Sequence, residues 1–324
     1  MKPTVIFLLF LKILYSNQPS STIPASTYSI VAYDPETGQL GVAVQSHWFS
    51  VGFLVPWAKA GVGAVATQSF VKVEYGPDGI NLMEEGFTAK EALKKLLLED
   101  KAKEVRQVSM IDTKGNVATH TGSKCIYAAG HFIGDNYSVQ ANMMEKESVW
   151  DAMSYAYENA KGDLADRLMA ALESAEKEGG DIRGKQSAAM LIVSGEPTGF
   201  SWKDIEMDLR VDDHPEPLNE LKRLIRISRA YHHANKGDYF LELNQINNAL
   251  EQYDLASSYY PENPELPYWS AVALVKTGRF NKAIPIFRNV FRKEPRLRIL
   301  IPRLVKAGLL PDDTDVITKI MNIK

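Results

Sequence analysis

The chain has 324 residues, 45% hydrophobic and 24% charged, an ordinary balance for a globular protein that argues against both a disordered chain and a membrane protein. Lys+Arg 37 against Asp+Glu 40 gives a formal net charge of −3, which argues against nucleic acid as a partner, since phosphate backbones are held by concentrated positive charge. The length suits two domains, and the single cysteine, Cys125, excludes an intramolecular disulfide.

In chain order, residues 1–26 read as a leader. Lys2 supplies a positive start, VIFLLFL a short apolar core, and NQPSSTIPAS a polar stretch ending in the small residues Ala25 and Ser26. The apolar run is too short to span a bilayer, so the expectation is export to a periplasmic or extracellular space after cleavage, with no membrane association beyond the leader.

Next comes TYSIVAYDPETGQLGVAVQS, Thr27–Ser46. Two period-two runs flank Asp34-Pro35-Glu36-Thr37-Gly38, whose residues favour a turn, so an antiparallel hairpin is predicted. Thr27 opens it and has two readings. It is the first β-branched residue of a strand, or, once a leader is removed, a nucleophile whose own α-amine serves as base. VGFLVPWAKAGVGAVAT, Val51–Thr67, lacks polar alternation and predicts strands covered on both faces. Lys59 within it either snorkels to water from a strand end or places a buried ammonium beside Thr27, favouring a neutral amine.

Two helices are expected over Pro77–Glu85 and after the capping box Thr88-Ala89-Lys90-Glu91. Strands resume as VRQVSMID, VATHT, KCIYAA and YSVQANMM. The apolar flanks of Cys125 mark it as a packing residue rather than a reactive thiol. His120, between two threonines of an alternating strand, is either a hydrogen-bonded structural residue or a catalytic one. Asn142 at a strand end is either a turn-side amide or a donor to a developing oxyanion. Two further helices carry Val149, Met153 and Tyr157, then Leu164, Leu168 and Leu172. SAAMLIVS and IEMDLRV complete the strands, and this order suits two stacked antiparallel sheets covered by helices, an α+β layered domain.

At DDHPEP, residues 212–217, the composition turns helical to the end of the chain. Ala249, Tyr253, Ala256 and Pro261 are echoed by Ala283, Phe287, Val290 and Pro295 at a separation of 34 residues, the period of a tetratricopeptide helix pair. The expected domains are therefore 27–211 and 212–324. No dinucleotide or phosphate loop, HExxH or cysteine pair occurs, and His232-His233 are adjacent on a helix and point in different directions, so no cofactor and no metal are expected.

TYSIVAYDPETGQLGVAVQS, VGFLVPWAKAGVGAVATQ, HTGSKC, SVQANM and GGDIRGKQSAAMLIV together resemble the family called domain of unknown function 1028, and residues 212–310 resemble the helical extension often attached to it. The resemblance implies a four-layer αββα sandwich like that of N-terminal-nucleophile (Ntn) hydrolases, followed by a small all-α tetratricopeptide-like domain. It also implies Thr27 as nucleophile, with Lys59 tuning the local potential and Asn142 or a backbone N–H holding the oxyanion. Gln68, His120 and Arg183 would shape the substrate pocket, Arg183 by clamping a carboxylate. The expected function is hydrolysis of an amide bond in a peptide-like or small acylated compound. The alternative is an exported, non-catalytic binding or scaffolding protein that uses its helical extension for a protein partner or self-association.

Overall fold

The computed structural model describes residues 27–324, so the leader expected over 1–26 lies outside the described residues. The chain divides into two compact units, one ending at Lys222 and the other spanning Arg223–Lys324. The first is a mixed α+β unit with two antiparallel sheets, and the second is helical.

β1 (Thr27–Tyr33) and β2 (Leu40–Ser46) form the expected hairpin, in register from Thr27 opposite Ser46 to Tyr33 opposite Leu40. The Asp34 carboxylate accepts from Glu36 N at 3.1 Å, and Gly38 takes φ +74°, a value glycine adopts without strain. β3 (Pro56–Lys59) and β4 (Gly63–Ser69) follow, then α1 (Tyr75–Glu84) and α2 (Ala89–Glu99). β5 (Arg106–Asp112), β6 (Val117–Thr121), β7 (Gly130–Gly134) and β8 (Tyr137–Asn142) come next. α3 (Val149–Asn159), α4 (Leu164–Glu178), β9 (Ser187–Val193), the short α5 (Ser201–Asp204) and β10 (Ile205–Val211) complete the strands. One sheet runs β10-β9-β2-β1-β8-β7 and the other β3-β4-β5-β6.

Strand alternation gives every sheet two faces with different partners. On the facing sides, Val31, Val42, Val44, Ala64, Ala66, Ile111 and Ala189 share one apolar cluster. On the outer side of the smaller sheet, Val65, Val108 and Met110 pack with Ile80 and Met83 of α1 and Leu93 of α2. α3 and α4 lie against the larger sheet, Tyr137 meeting Tyr157 with ring centroids 4.5 Å apart. Each fully buried aliphatic side chain in these layers contributes about 1.5–3 kcal/mol.

The segment KCIYAA, expected as a strand, is not one. Lys124 N donates to Glu104 O, just before β5 of the smaller sheet, whereas Met143 N and Met144 N of the larger sheet's side donate to Ile126 O and Ala128 O. The segment thus passes from one sheet to the other, and its backbone groups are used by both. Its strand place is taken by β7, Gly130–Gly134.

The helical unit takes up α6 (Pro217–Glu242) past Lys222, then α7 (Ile246–Tyr259), α8 (Glu265–Lys276), α9 (Phe280–Lys293), α10 (Ile301–Lys306) and α11 (Thr314–Met321). Tyr268, Phe287, Val290, Ile301 and Ile320 form its main core. Ala249, Tyr253 and Ala256 are buried, as are their echoes Ala283, Phe287 and Val290. No described helix is long and apolar enough to cross a membrane.

Candidate active site between the sheets

Beyond the apolar cluster, the space between the sheets becomes polar. β1 turns Thr27 and Ser29 inward, β4 Gln68, β5 Gln107 and Ser109, and β8 Ser138, Gln140 and Asn142, and all of them are buried. Polar groups so placed are tolerated only when hydrogen-bonded, and here they bond one another. Ser29 Oγ donates to Gln68 Oε1 at 2.6 Å, Gln140 Nε2 reaches Ser29 Oγ at 3.2 Å, and Ser109 Oγ donates to Gln140 Oε1 at 3.0 Å.

Thr27 lies at one end of this layer. In the sheet it stands between Ser46 of β2 and Asn142 of β8. Its hydroxyl donates to Ser46 Oγ at 3.2 Å. Its carbonyl accepts from Gln68 Nε2 at 3.0 Å and from Asn142 Nδ2 at 3.4 Å. Gln107 ties these two amides together, its Oε1 accepting from Gln68 Nε2 at 2.7 Å and from Asn142 Nδ2 at 3.0 Å. The residue is therefore fixed from three strands besides its own, and its alcohol sits among polar groups rather than hydrocarbon.

Arg183 belongs to the same end. Ser46 is followed by His47, whose N–H donates to Asp181 Oδ2 at 3.0 Å, and Asn142 is followed closely by Met144, which bridges to Asp181. The Arg183 guanidinium pairs with that buried carboxylate through both its Nε, at 3.2 Å, and its Nη2, at 3.0 Å. Such two-point pairing orients the planar group.

Two expected residues are not brought to Thr27. Lys59 ends β3 opposite Gly63, where its exposed ammonium pairs with Glu84 Oε1 of α1 at 2.5 Å. It is the strand-end lysine that snorkels to water, and the buried-ammonium reading is corrected. The reason is register, because Gln68 lies toward the other end of β4. His120 shares with Ala118 the face of β6 turned toward α1 and α2, and its Nε2 meets Lys103 O at 2.8 Å.

His131 and Gln107 are the residues that sequence reasoning missed. Gln107 Nε2 donates to Thr121 Oγ1 at 2.9 Å, which leaves the threonine's own proton for His131 Nδ1 at 2.8 Å. A continuous chain thus runs from the Thr27 carbonyl through Gln68, Gln107 and Thr121 to a half-buried imidazole. Burial, and secondarily the neighbouring His120, hold the His131 pKa below the usual histidine range. Alternation in VRQVSMID was the available signal for Gln107. Cys125 is half-buried with Sγ 3.4 Å from Arg106 O, and burial pushes its thiol pKa up, so it is a poor nucleophile.

Residues 27–221 match the model of a family of unknown function, DUF1028. Among solved structures, that of the protein SPO2555 from Silicibacter pomeroyi, itself described as a DUF1028 protein, is similar, with a TM-score of 0.56 and 29% identity over 62% of this chain and 85% of that one. No curated protein matches. The family match extends over more than half of the sequence and begins at Thr27, the residue on which the buried polar layer converges, and the chain belongs to the DUF1028 family.

Proposed function

We propose that the protein is an N-terminal-nucleophile amidohydrolase that cleaves an amide bond of a peptide-like or small acylated compound after exposure of the Thr27 amine. The observation that carries this reading is the fixation of Thr27. A residue at the start of a strand, held through its carbonyl by two side-chain amides and through its alcohol by Ser46, has the preorganisation that nucleophilic catalysis requires. The packing of two sheets between two helix pairs supports the αββα layering of Ntn hydrolases.

In this scheme the α-amine, with an ordinary pKa of about 7.7–8, takes the Oγ proton directly or through one water. Oγ attacks the substrate carbonyl, the amine returns the proton to the leaving nitrogen, and water releases the acyl group by the reverse route. Asn142 Nδ2 is directed at Thr27 O and Gln107 Oε1, so it holds the nucleophile, and the oxyanion falls to a backbone N–H. Arg183 lies at the same strand ends and offers a guanidinium to a substrate carboxylate, shared with Asp181. The leader reading supports export as the step that precedes activity.

The second reading is an exported binding or scaffolding protein. It is favoured by a cavity of about 370 Å³ within the helical unit, lined by Trp269, Tyr253, Val272, Asp238, Glu242 and Lys276 among others, a size suited to a small ligand or side chain. The repeated buried positions on α7 and α9 support a tetratricopeptide-like unit. Two measurements separate the readings. Intact mass of exported protein is expected to show a chain beginning at Thr27, and an amide library is expected to yield a substrate that Thr27→Ala no longer turns over. A chain that retains Ser26, or unchanged turnover by the variant, leaves the binding reading.

A further inference from the structure

Among the described residues, β10 is an edge of the larger sheet, paired on one side with β9. An edge strand offers a row of backbone donors and acceptors to any strand that approaches. Proteins blunt such edges with charge, and β10 carries Glu206, Asp208 and Arg210, all exposed, with a register irregularity between Ile205 and Met207. These charges are not arranged at random. Read as Ile-Glu-Met-Asp-Leu-Arg-Val, the strand is complementary to its own reverse about Asp208.

We infer that β10 is a self-recognition edge, at which a second copy of this chain adds antiparallel across a two-fold axis through Asp208 to give one continuous sheet. In that register Met207 stands opposite Leu209 of the second copy, twice, and Glu206, at which the pairing with β9 shifts and whose carboxylate also accepts from Gln39 Nε2, stands opposite Arg210, twice. Residues directly opposite across antiparallel strands share a face and are close enough for opposite charges to attract. The two Asp208 carboxylates meet at the axis, each already paired with its own Arg210 through two bonds of 2.8 and 2.9 Å. Moving the axis by one residue keeps Arg210 opposite an acid, Asp204 or Asp208, but sets Glu206 against Asp208 or Asp212 twice, so of these three registers the one through Asp208 alone gives Glu206 a cation.

The surroundings suit a covered edge. Trp202 on α5, immediately before β10, is 70% exposed, and Phe53, in the turn of helix that lies against β10, is 69% exposed. Large apolar side chains beside an open strand are features of protein contact surfaces. Pairing by one edge strand buries little area, so the dimer is expected to dissociate on dilution. The interaction is independent of the chemistry proposed at Thr27.

The test is sedimentation velocity over a concentration series on the exported chain, with circular dichroism to verify folding of each variant. The wild type is expected to shift toward dimer as concentration rises. Glu206→Arg and Arg210→Glu, each of which places like charges opposite one another, are expected to weaken association at least tenfold, and the double variant E206R/R210E to restore it. The swap recreates only the cross-strand pairs, since the Asp208–Arg210 contact within the strand is lost in it. A wild type that stays monomeric, single variants that associate normally, or a double variant that fails to recover overturns the inference.

Discussion

Gln107 joins the two amides that hold Thr27 to the hydroxyl that bonds His131. Replacing it by leucine removes one hydrogen-bond partner each from Gln68, Asn142 and Thr121, which keep Thr27 O and His131 Nδ1, in a buried site where each such bond contributes about 0.5–1.5 kcal/mol. Gln107→Leu is therefore expected to lower the stability of the α+β unit by at least about 2 kcal/mol in urea unfolding, and a change within error would mean that the layer is not the tight network drawn above. His131 makes a prediction about pH. Its folded pKa is depressed, so below the ordinary histidine value of about 6.5 the unfolded chain binds the proton more readily and stability falls as pH falls. Melting temperatures measured from pH 7 down through that window are expected to decline less steeply in His131→Gln than in the wild type; parallel curves would remove His131 from the account. The importance of neither residue was legible in the sequence. Alternation in VRQVSMID separates Gln107 and Ser109 from Val108 and Met110, but only the facing sheet turns that polar side into a buried layer. Lys59 failed for a related reason, because one strand's period cannot tell which end of the facing sheet carries Thr27.

Helix α2 was legible down to its first hydrogen bonds, because a cap is a local device. Thr88 Oγ1 accepts from Glu91 N at 3.3 Å and the Glu91 carboxylate accepts from Thr88 N at 2.9 Å, as the box of four residues predicts. Thr88→Ala is expected to cost about 1 kcal/mol in denaturant unfolding, and a neutral result would show that packing of Leu93 and Ala92 alone sets the start of the helix. The contact between α4 and β2 was not legible, since it depends on a missing side chain. A Cβ on Gly41 would lie 2.7 Å from Leu168 Cδ1 and 3.0 Å from Leu164 Cδ2, so the glycine lets the helix lie close on the strand. KCIYAA misled for the opposite reason. Its composition suits a strand, yet a chain that crosses between sheets must divide its backbone hydrogen bonds between them, and nothing in six residues encodes that they connect two layers. The following GHFIG, short and glycine-bounded, became β7 because β8 offered it a partner edge.

The hairpin, the helix pairs and the strand order made the mixed α+β architecture readable from period alone, whereas the place where the chain divides was set by contacts. Composition changes at Asp212, but the compact units separate between Lys222 and Arg223, inside α6, because a helix begun beside one core can end in another. Each unit has its own buried cluster: Val31, Val44, Ala66 and Ile111 in the first, Tyr268, Phe287, Val290 and Ile320 in the second. Separate cores imply separate cooperativity, and this can be tested at Phe287, which is fully buried and touches the rings of Tyr268 and Phe291 with centroids at 5.8 and 5.3 Å. Truncating such a side chain costs about 3–5 kcal/mol, and for a domain of this size each kcal/mol moves the melting temperature by roughly 4–8 °C. Phe287→Ala is therefore expected, in scanning calorimetry, to lower the transition of the helical unit by more than about 10 °C or to abolish it, while the transition of the α+β unit and any Thr27-dependent turnover stay where they were. Were both transitions to fall together, the chain would be one cooperative block, and the buried polar layer around Thr27 would owe its rigidity to helices that begin two hundred residues later in the sequence.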